Sequence, residues 1–155
     1  MNEYRSAART MTADCLCFRA RRVSRALTRL YDDALRPLGI QATQLTLLNA
    51  VALGGDRGAL MSQLADVLAM DPSTLSRNLR PLEKAGLLRI ERSTADGRVR
   101  VAQLTREGQL RVEQALPRWQ EAHDRVVAAL GSDAAVELRE RFDAAVAAAA
   151  PSFPQ

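Results

Sequence analysis

The chain is expected to be mainly α-helical with one small β-hairpin near its centre. Three observations carry that expectation. Apolar residues recur at alternating threes and fours before residue 54 and after residue 105, the spacing of helices that bury one stripe. Between them, at residues 87–104, the period drops to two on either side of a Ser-Thr-Ala-Asp-Gly-Arg turn. Helix-capping residues also bracket a short segment, Asp71 to Gly86, just ahead of the hairpin.

Taken in order, residues 1–11 are expected to be flexible. A long helix is expected from near Thr12 to Arg36, closed by Pro37 and Gly39. Leu16, Ala20, Val23, Leu27, Leu30 and Ala34 form its stripe, the seam of a helix packed along another. Arg19, Arg21, Arg22 and Arg25 lie on its other sides, solvated or paired with acids of a second subunit. Thr43 is read as the N-cap of the next helix, to Leu53, with Gly54-Gly55 as its stop. Ala59-Leu60 reads as a short strand, followed by a short helix from Met61 and a tight turn.

The second helix of this pair opens at Asp71, whose carboxylate can accept the free N–H groups of the first turn. Pro72 sits at the first helical position, and Gly86 stands where a left-handed residue ends the helix. Leu75, Leu79 and Leu82 share a buried face. At about 100° per residue, the opposite face carries Ser73, Arg77, Arg80 and Lys84, flanked by Thr74 and Ser76, and no acid. Pro81 removes a backbone bond to Arg77 and is expected to bend the last turns. Residues 87–92 and 99–104 follow as strands. Thr105 then caps a helix to Leu130 with Val112, Leu116, Trp119, His123, Val126 and Leu130 in its stripe and a kink at Pro117. Gly131 breaks it, and Ser132 starts a last helix to about Ala149 with Val136, Phe142 and Val146 apolar; an alanine-rich end and the tail Pro151–Gln155 close the chain.

Helix, turn, helix and hairpin in that order describe a winged helix-turn-helix. Hydroxyls and cations on one exposed helical face suit phosphate contacts and hydrogen bonds to base edges in a major groove. The candidate DNA-contacting residues are Ser73, Thr74, Ser76, Arg77 and Arg80 on the helix and Arg98 and Arg100 on the wing. Arg98 can also be read as a solvated turn residue. A net charge of +4 and a pI near 9.8 favour a polyanionic partner. Lys84 is the only lysine, so the charge is nearly all arginine. Aromatics at 4% are too few for a single-strand stacking platform. With one histidine, no clustered metal ligands and no glycine-rich phosphate loop, the residues offer no nucleophile–base pair and no cofactor site, and no metal site is expected outside the Cys15–Cys17 pair. No apolar run reaches membrane-spanning length, and Met1–Arg5 lacks a signal-peptide core, so a cytoplasmic location with reduced cysteines is expected.

The segment resembles the winged helix of the multiple-antibiotic-resistance regulator (MarR) family. The likeness rests on Leu64-Ala65, Asp71-Pro72-Ser73-Thr74-Leu75-Ser76-Arg77, Leu82-Glu83-Lys84-Ala85-Gly86-Leu87-Leu88, Asp96-Gly97-Arg98 and Leu104-Thr105-Arg106-Glu107-Gly108. It extends from about Leu16 to the last helix. The resemblance implies that Arg98 reaches a minor groove while Asp96 braces the wing. It also implies a homodimer, and the first and last two helices carry more apolar stripe than one winged helix can cover. Two recognition helices related by a two-fold axis would read a pseudo-palindromic operator on double-stranded DNA. The expected domains are 43–104 for DNA binding, with 12–42 and 105–150 forming the helical dimerisation region.

Leu16-Cys17-Phe18 further resembles the organic-hydroperoxide-sensing branch of that family, in which the Cys17 position reacts with peroxide and a tyrosine aligned with Tyr31 holds the thiolate. Two other tyrosine positions of that branch are Arg21 and Ala42 here. Cys17 and Tyr31 lie roughly 21 Å apart along one helix, so they meet only across an antiparallel dimer. Cys15 and Cys17 point about 200° apart on a regular helix and cannot grip each other or one metal unless the helix start is frayed. Redox sensing, inert packing and metal or metalloid binding remain open for the pair. His123 is a core or interface residue by position. With Trp119 and Tyr31 it can also line a pocket for a small aromatic effector, which members of the family often have. The function expected is a dimeric, sequence-specific transcriptional regulator, a repressor released by an effector or by cysteine oxidation. The alternative is a winged-helix protein-interaction module with little DNA affinity.

Overall fold

The structure, a computed structural model, describes residues 2–93 and 96–149. Thr94 and Ala95 of the expected hairpin turn, Ala150 and the Pro151–Gln155 tail lie outside the described residues. Seven α-helices and three strands are described: α1 (Glu3–Asp14), α2 (Leu16–Leu35), α3 (Ala42–Ala52), β1 (Ala59–Leu60), α4 (Met61–Val67), α5 (Pro72–Lys84), β2 (Leu88–Arg92), β3 (Arg100–Leu104), α6 (Arg106–Leu130) and α7 (Ser132–Ala149). The fold is mainly helical with a small three-stranded antiparallel sheet, as the sequence pattern predicts.

Three departures from expectation concern where helices begin. The N-terminal segment is itself helical over Glu3–Asp14, rich in good helix formers and buried nowhere in the protomer. The long helix then begins at Leu16, not Thr12, because Cys15 is extended (φ −71°, ψ 111°) and separates α1 from α2. The third helix starts at Ala42 rather than being capped by Thr43. Gln41 and Gln44 form a reciprocal capping box, with Gln41 N donating to Gln44 at 2.9 Å, while Asp32 of α2 accepts from Ala42 N at 2.7 Å. The Gln41/Gln44 pair is a local mark of this start, whereas the Asp32 contact leaves none.

α4 and α5 form the helix-turn-helix. The turn holds Ala69 at φ 49°, a left-handed position usually given to glycine. Ala69 N donates to Asp66 O and Met70 N to Ala65 O, which ends α4 and redirects the chain within four residues. α5 runs unbroken through Pro81 and closes the same way at Gly86 (φ 72°), with Leu87 N bonded to Leu82 O. Likewise α6 is one element through Pro117.

The sheet order is β1-β3-β2, with Ala59 opposite Ala102 and Ile90 opposite Ala102 on the other side. Leu48, Val51, Leu75, Leu79, Leu82, Leu88 and Ala102 form the winged-helix core. A second cluster of Leu35, Ile40, Leu45 and Ala115 ties α2 and α3 to α6, and Val112 touches both. Burial at about 25 cal/mol per Å² makes these leucines the main source of stability. Among the described residues every large apolar side chain left exposed, except Leu53 and Val67, lies on α1, α2, α6 or α7. No helix of the described residues is long and apolar enough to cross a membrane.

Candidate nucleic-acid interface

The exposed face of α5 begins at its cap. Asp71 Oδ1 accepts from the backbone N–H of Ser73 at 3.0 Å and of Thr74 at 2.9 Å. The same carboxylate also takes the Ser73 hydroxyl and the Thr74 hydroxyl, each at 2.6 Å. These bonds, led by the two hydroxyls, hold the Asp71 carboxyl well below the usual carboxylate range. The 73–84 face carries no acid, but one anion, already accepting four hydrogen bonds, stands at its head. Thr74 Oγ1 accepts in turn from Arg77 at 3.1 Å. Ser73, Arg77, Arg80 and Lys84 are exposed, while Thr74 and Ser76 are half-buried.

The wing supplies the second group of cations. Asp96 accepts from the Arg98 backbone N–H at 2.9 Å, and Val99 N donates to Asp96 O, so the aspartate folds the turn that presents the exposed Arg98. Arg100 lines a shallow depression with Met61, Ser62, Pro72, Leu75 and Ser76. The structure thus brings Arg100 against the start of α5. Arg92 lies directly opposite Arg100 across the strands, on the sheet face that Leu88 and Ile90 share with the core. Sequence reasoning passed over Arg92, although strand alternation from Leu88 and Ile90 marks it. Among the described residues none of Arg77, Arg80, Lys84, Arg92, Arg98 or Arg100 enters an ion pair. Two like charges thus stand opposite one another, an arrangement that is unfavourable in the protomer alone.

Away from this surface, Tyr31, Trp119 and His123 form one stack. Trp119 and His123 are 4.6 Å apart at 12°, Tyr31 and Trp119 6.5 Å apart at 10°, and Tyr31 Oη lies 3.3 Å from His123 Nδ1. Burial pushes the Tyr31 phenol up, keeping it neutral. The cysteines are elsewhere. Cys15 caps α2, its Sγ accepting from Phe18 N at 3.4 Å, and is half-buried, while Cys17 is exposed on the first turn. Within one chain neither reaches Tyr31, which lies near the opposite end of α2. Among the described residues no three His, Cys, Asp or Glu side chains gather as metal ligands.

The family model described as MarR family matches residues 38–99. The crystal structure of the M. tuberculosis transcriptional regulator MosR in complex with DNA is 31% identical, covers 88% of this chain and 100% of its own, and superposes with a TM-score of 0.74. The chain belongs to the MarR family. Two further MarR-fold structures agree at fold level. These are E. coli MarR complexed with operator DNA (24% identity, 87% and 96% coverage, TM-score 0.76) and CouR of Rhodococcus jostii bound to p-coumaroyl-CoA (22%, 92% and 97%, 0.74). No curated protein matches the sequence. Members of the MarR family are transcription regulators, not enzymes, and they are dimeric.

Proposed function

We propose that this chain is a dimeric, sequence-specific DNA-binding regulator, acting as a repressor that an effector releases. Residues 43–104 enter the DNA, and 12–42 with 105–150 pair the protomers. One observation carries the reading: the cations of α5 and the wing have no carboxylate partners among the described residues, and Arg100, with Arg92 opposite it, lies against the start of α5. In this reading Ser73, Thr74, Ser76, Arg77 and Arg80 face a major groove, Arg98 reaches the adjacent minor groove, and Arg92 and Arg100 hold the backbone between them. The rival, a protein-docking winged helix, leaves this cluster of unpaired cations without a use. The expected effector is a small aromatic molecule that lies against the Tyr31–Trp119–His123 stack and shifts the spacing of the two recognition helices.

Fluorescence anisotropy on labelled duplex DNA tests the core of this. Wild type should bind at low salt, and Arg98→Ala should bind more weakly with a log–log salt slope shallower by about one. No attraction to duplex DNA at low salt would overturn the reading.

Release by thiol oxidation is a second reading, supported by the exposed Cys17 beside the exposed Arg21. A hydroperoxide would oxidise the thiol to a sulfenic acid and be reduced to the alcohol. Mass spectrometry after mild peroxide treatment decides it: an unmodified Cys17 with intact DNA binding removes the redox route.

A further inference from the structure

The first turn of α5 has an unusual hydrogen-bond balance. Pro72 has no N–H, the Ser73 and Thr74 N–H groups both donate to Asp71 Oδ1, and Leu75 N donates to the Asp71 carbonyl at 3.0 Å. The helix N-terminus therefore offers no free N–H to an anion, although helix N-termini ordinarily do. The side chains follow the same logic. A deprotonated carboxylate can only accept, so at 2.6 Å the protons in the two Asp71 contacts belong to the Ser73 and Thr74 hydroxyls. A hydroxyl has one proton and two acceptor lone pairs. Thr74 has already accepted from Arg77 and is half-buried. Ser73 is exposed, its proton committed and, among the described residues, both lone pairs open.

Phosphate oxygens, guanine O6 and N7, and thymine O4 are all acceptors and cannot bond such a group. In the major groove only the exocyclic amino groups of adenine and cytosine donate. Turning the Ser73 proton toward a phosphate would also bring a second anion beside Asp71. We infer that Ser73 is a specificity-determining residue that accepts a hydrogen bond from an adenine or cytosine amino group and makes no phosphate contact, leaving the backbone to the arginines. This rests on the DNA-binding reading above and names the base chemistry that one position of that interface selects.

The experiment begins with a duplex selected from a random pool by the wild-type protein. Each adenine in turn is replaced by purine lacking the 6-amino group, each cytosine by 2-pyrimidinone, and each phosphate by methylphosphonate. Anisotropy titrations compare wild type with Ser73→Ala, whose melting temperature checks that the helix cap survives. Expected is an affinity loss of about three- to tenfold for Ser73→Ala. Removing one amino group per half-site should reproduce that loss in wild type and have no further effect on the variant. Coupling of Ser73 to a methylphosphonate, or additivity with every amino deletion, overturns the inference while wild-type binding leaves the DNA reading standing. A wild type that selects no duplex removes both.

Discussion

Asp71 anchors the interface at the scale of a single residue. Its carboxylate collects two backbone N–H groups and two hydroxyls, and its titration is displaced downward in the folded chain. A carboxyl whose folded pKa lies below its unfolded value adds stability above the ordinary aspartate range, and that stability is lost as pH falls through the depressed folded value. Asp71→Asn should therefore flatten the fall of thermal stability below about pH 4. Thermal melts across an acid series test this, and an unchanged slope would assign the acid sensitivity to other groups. The cap itself is legible in the Asp-Pro-Ser-Thr sequence. That its carboxylate also binds both neighbouring hydroxyls is not, since rotamers decide that.

Among the elements, the decisive contact is where α6 meets the hairpin. Gly108 lies in the first turn of α6, and an added Cβ would come within 1.9 Å of the Leu87 carbonyl oxygen. Thr105 clamps the same place, donating to Gly86 O at 2.6 Å and accepting from Gly108 N at 3.1 Å. A methyl group there forces α6 away from the root of β2, so Gly108→Ala should destabilise by about 1–3 kcal/mol and weaken DNA binding by shifting the wing. Thermal unfolding and anisotropy check it, and a melting temperature equal to wild type would show that the backbone yields without strain. Helix types and most helix ends follow from periodicity and caps. The starts of α2 and α3 do not, because their caps, Cys15 Sγ on Phe18 N and a Gln41/Gln44 box, use residue types outside the usual N-cap set, and Asp32 adds a contact from another helix.

For the whole molecule, the question is what covers the outer helices. Leu116 on α6 is 61% exposed and Val146 on α7 55%. Pairing of two chains through α1, α2, α6 and α7 would bury these residues and set the two α5 helices for successive grooves. Leu116→Glu with Val146→Glu should give a folded protein that sediments as a monomer and loses most of its affinity for a two-half-site duplex. Since both side chains are exposed in the protomer, circular dichroism should stay unchanged. A wild type that is monomeric at every concentration in analytical ultracentrifugation would remove the dimer reading.

Local chemistry by itself determined the helix-turn-helix, the hairpin and the acid-free face of α5, because caps, glycines and periodicity act over a few residues. The tertiary structure alone decided which distant groups meet: Arg100 against the start of α5, Arg92 opposite Arg100, and Tyr31 stacked with Trp119 and His123. Those meetings depend on strand register and on how α2 lies along α6, which are set by packing over the whole chain and leave no mark in any short stretch of it.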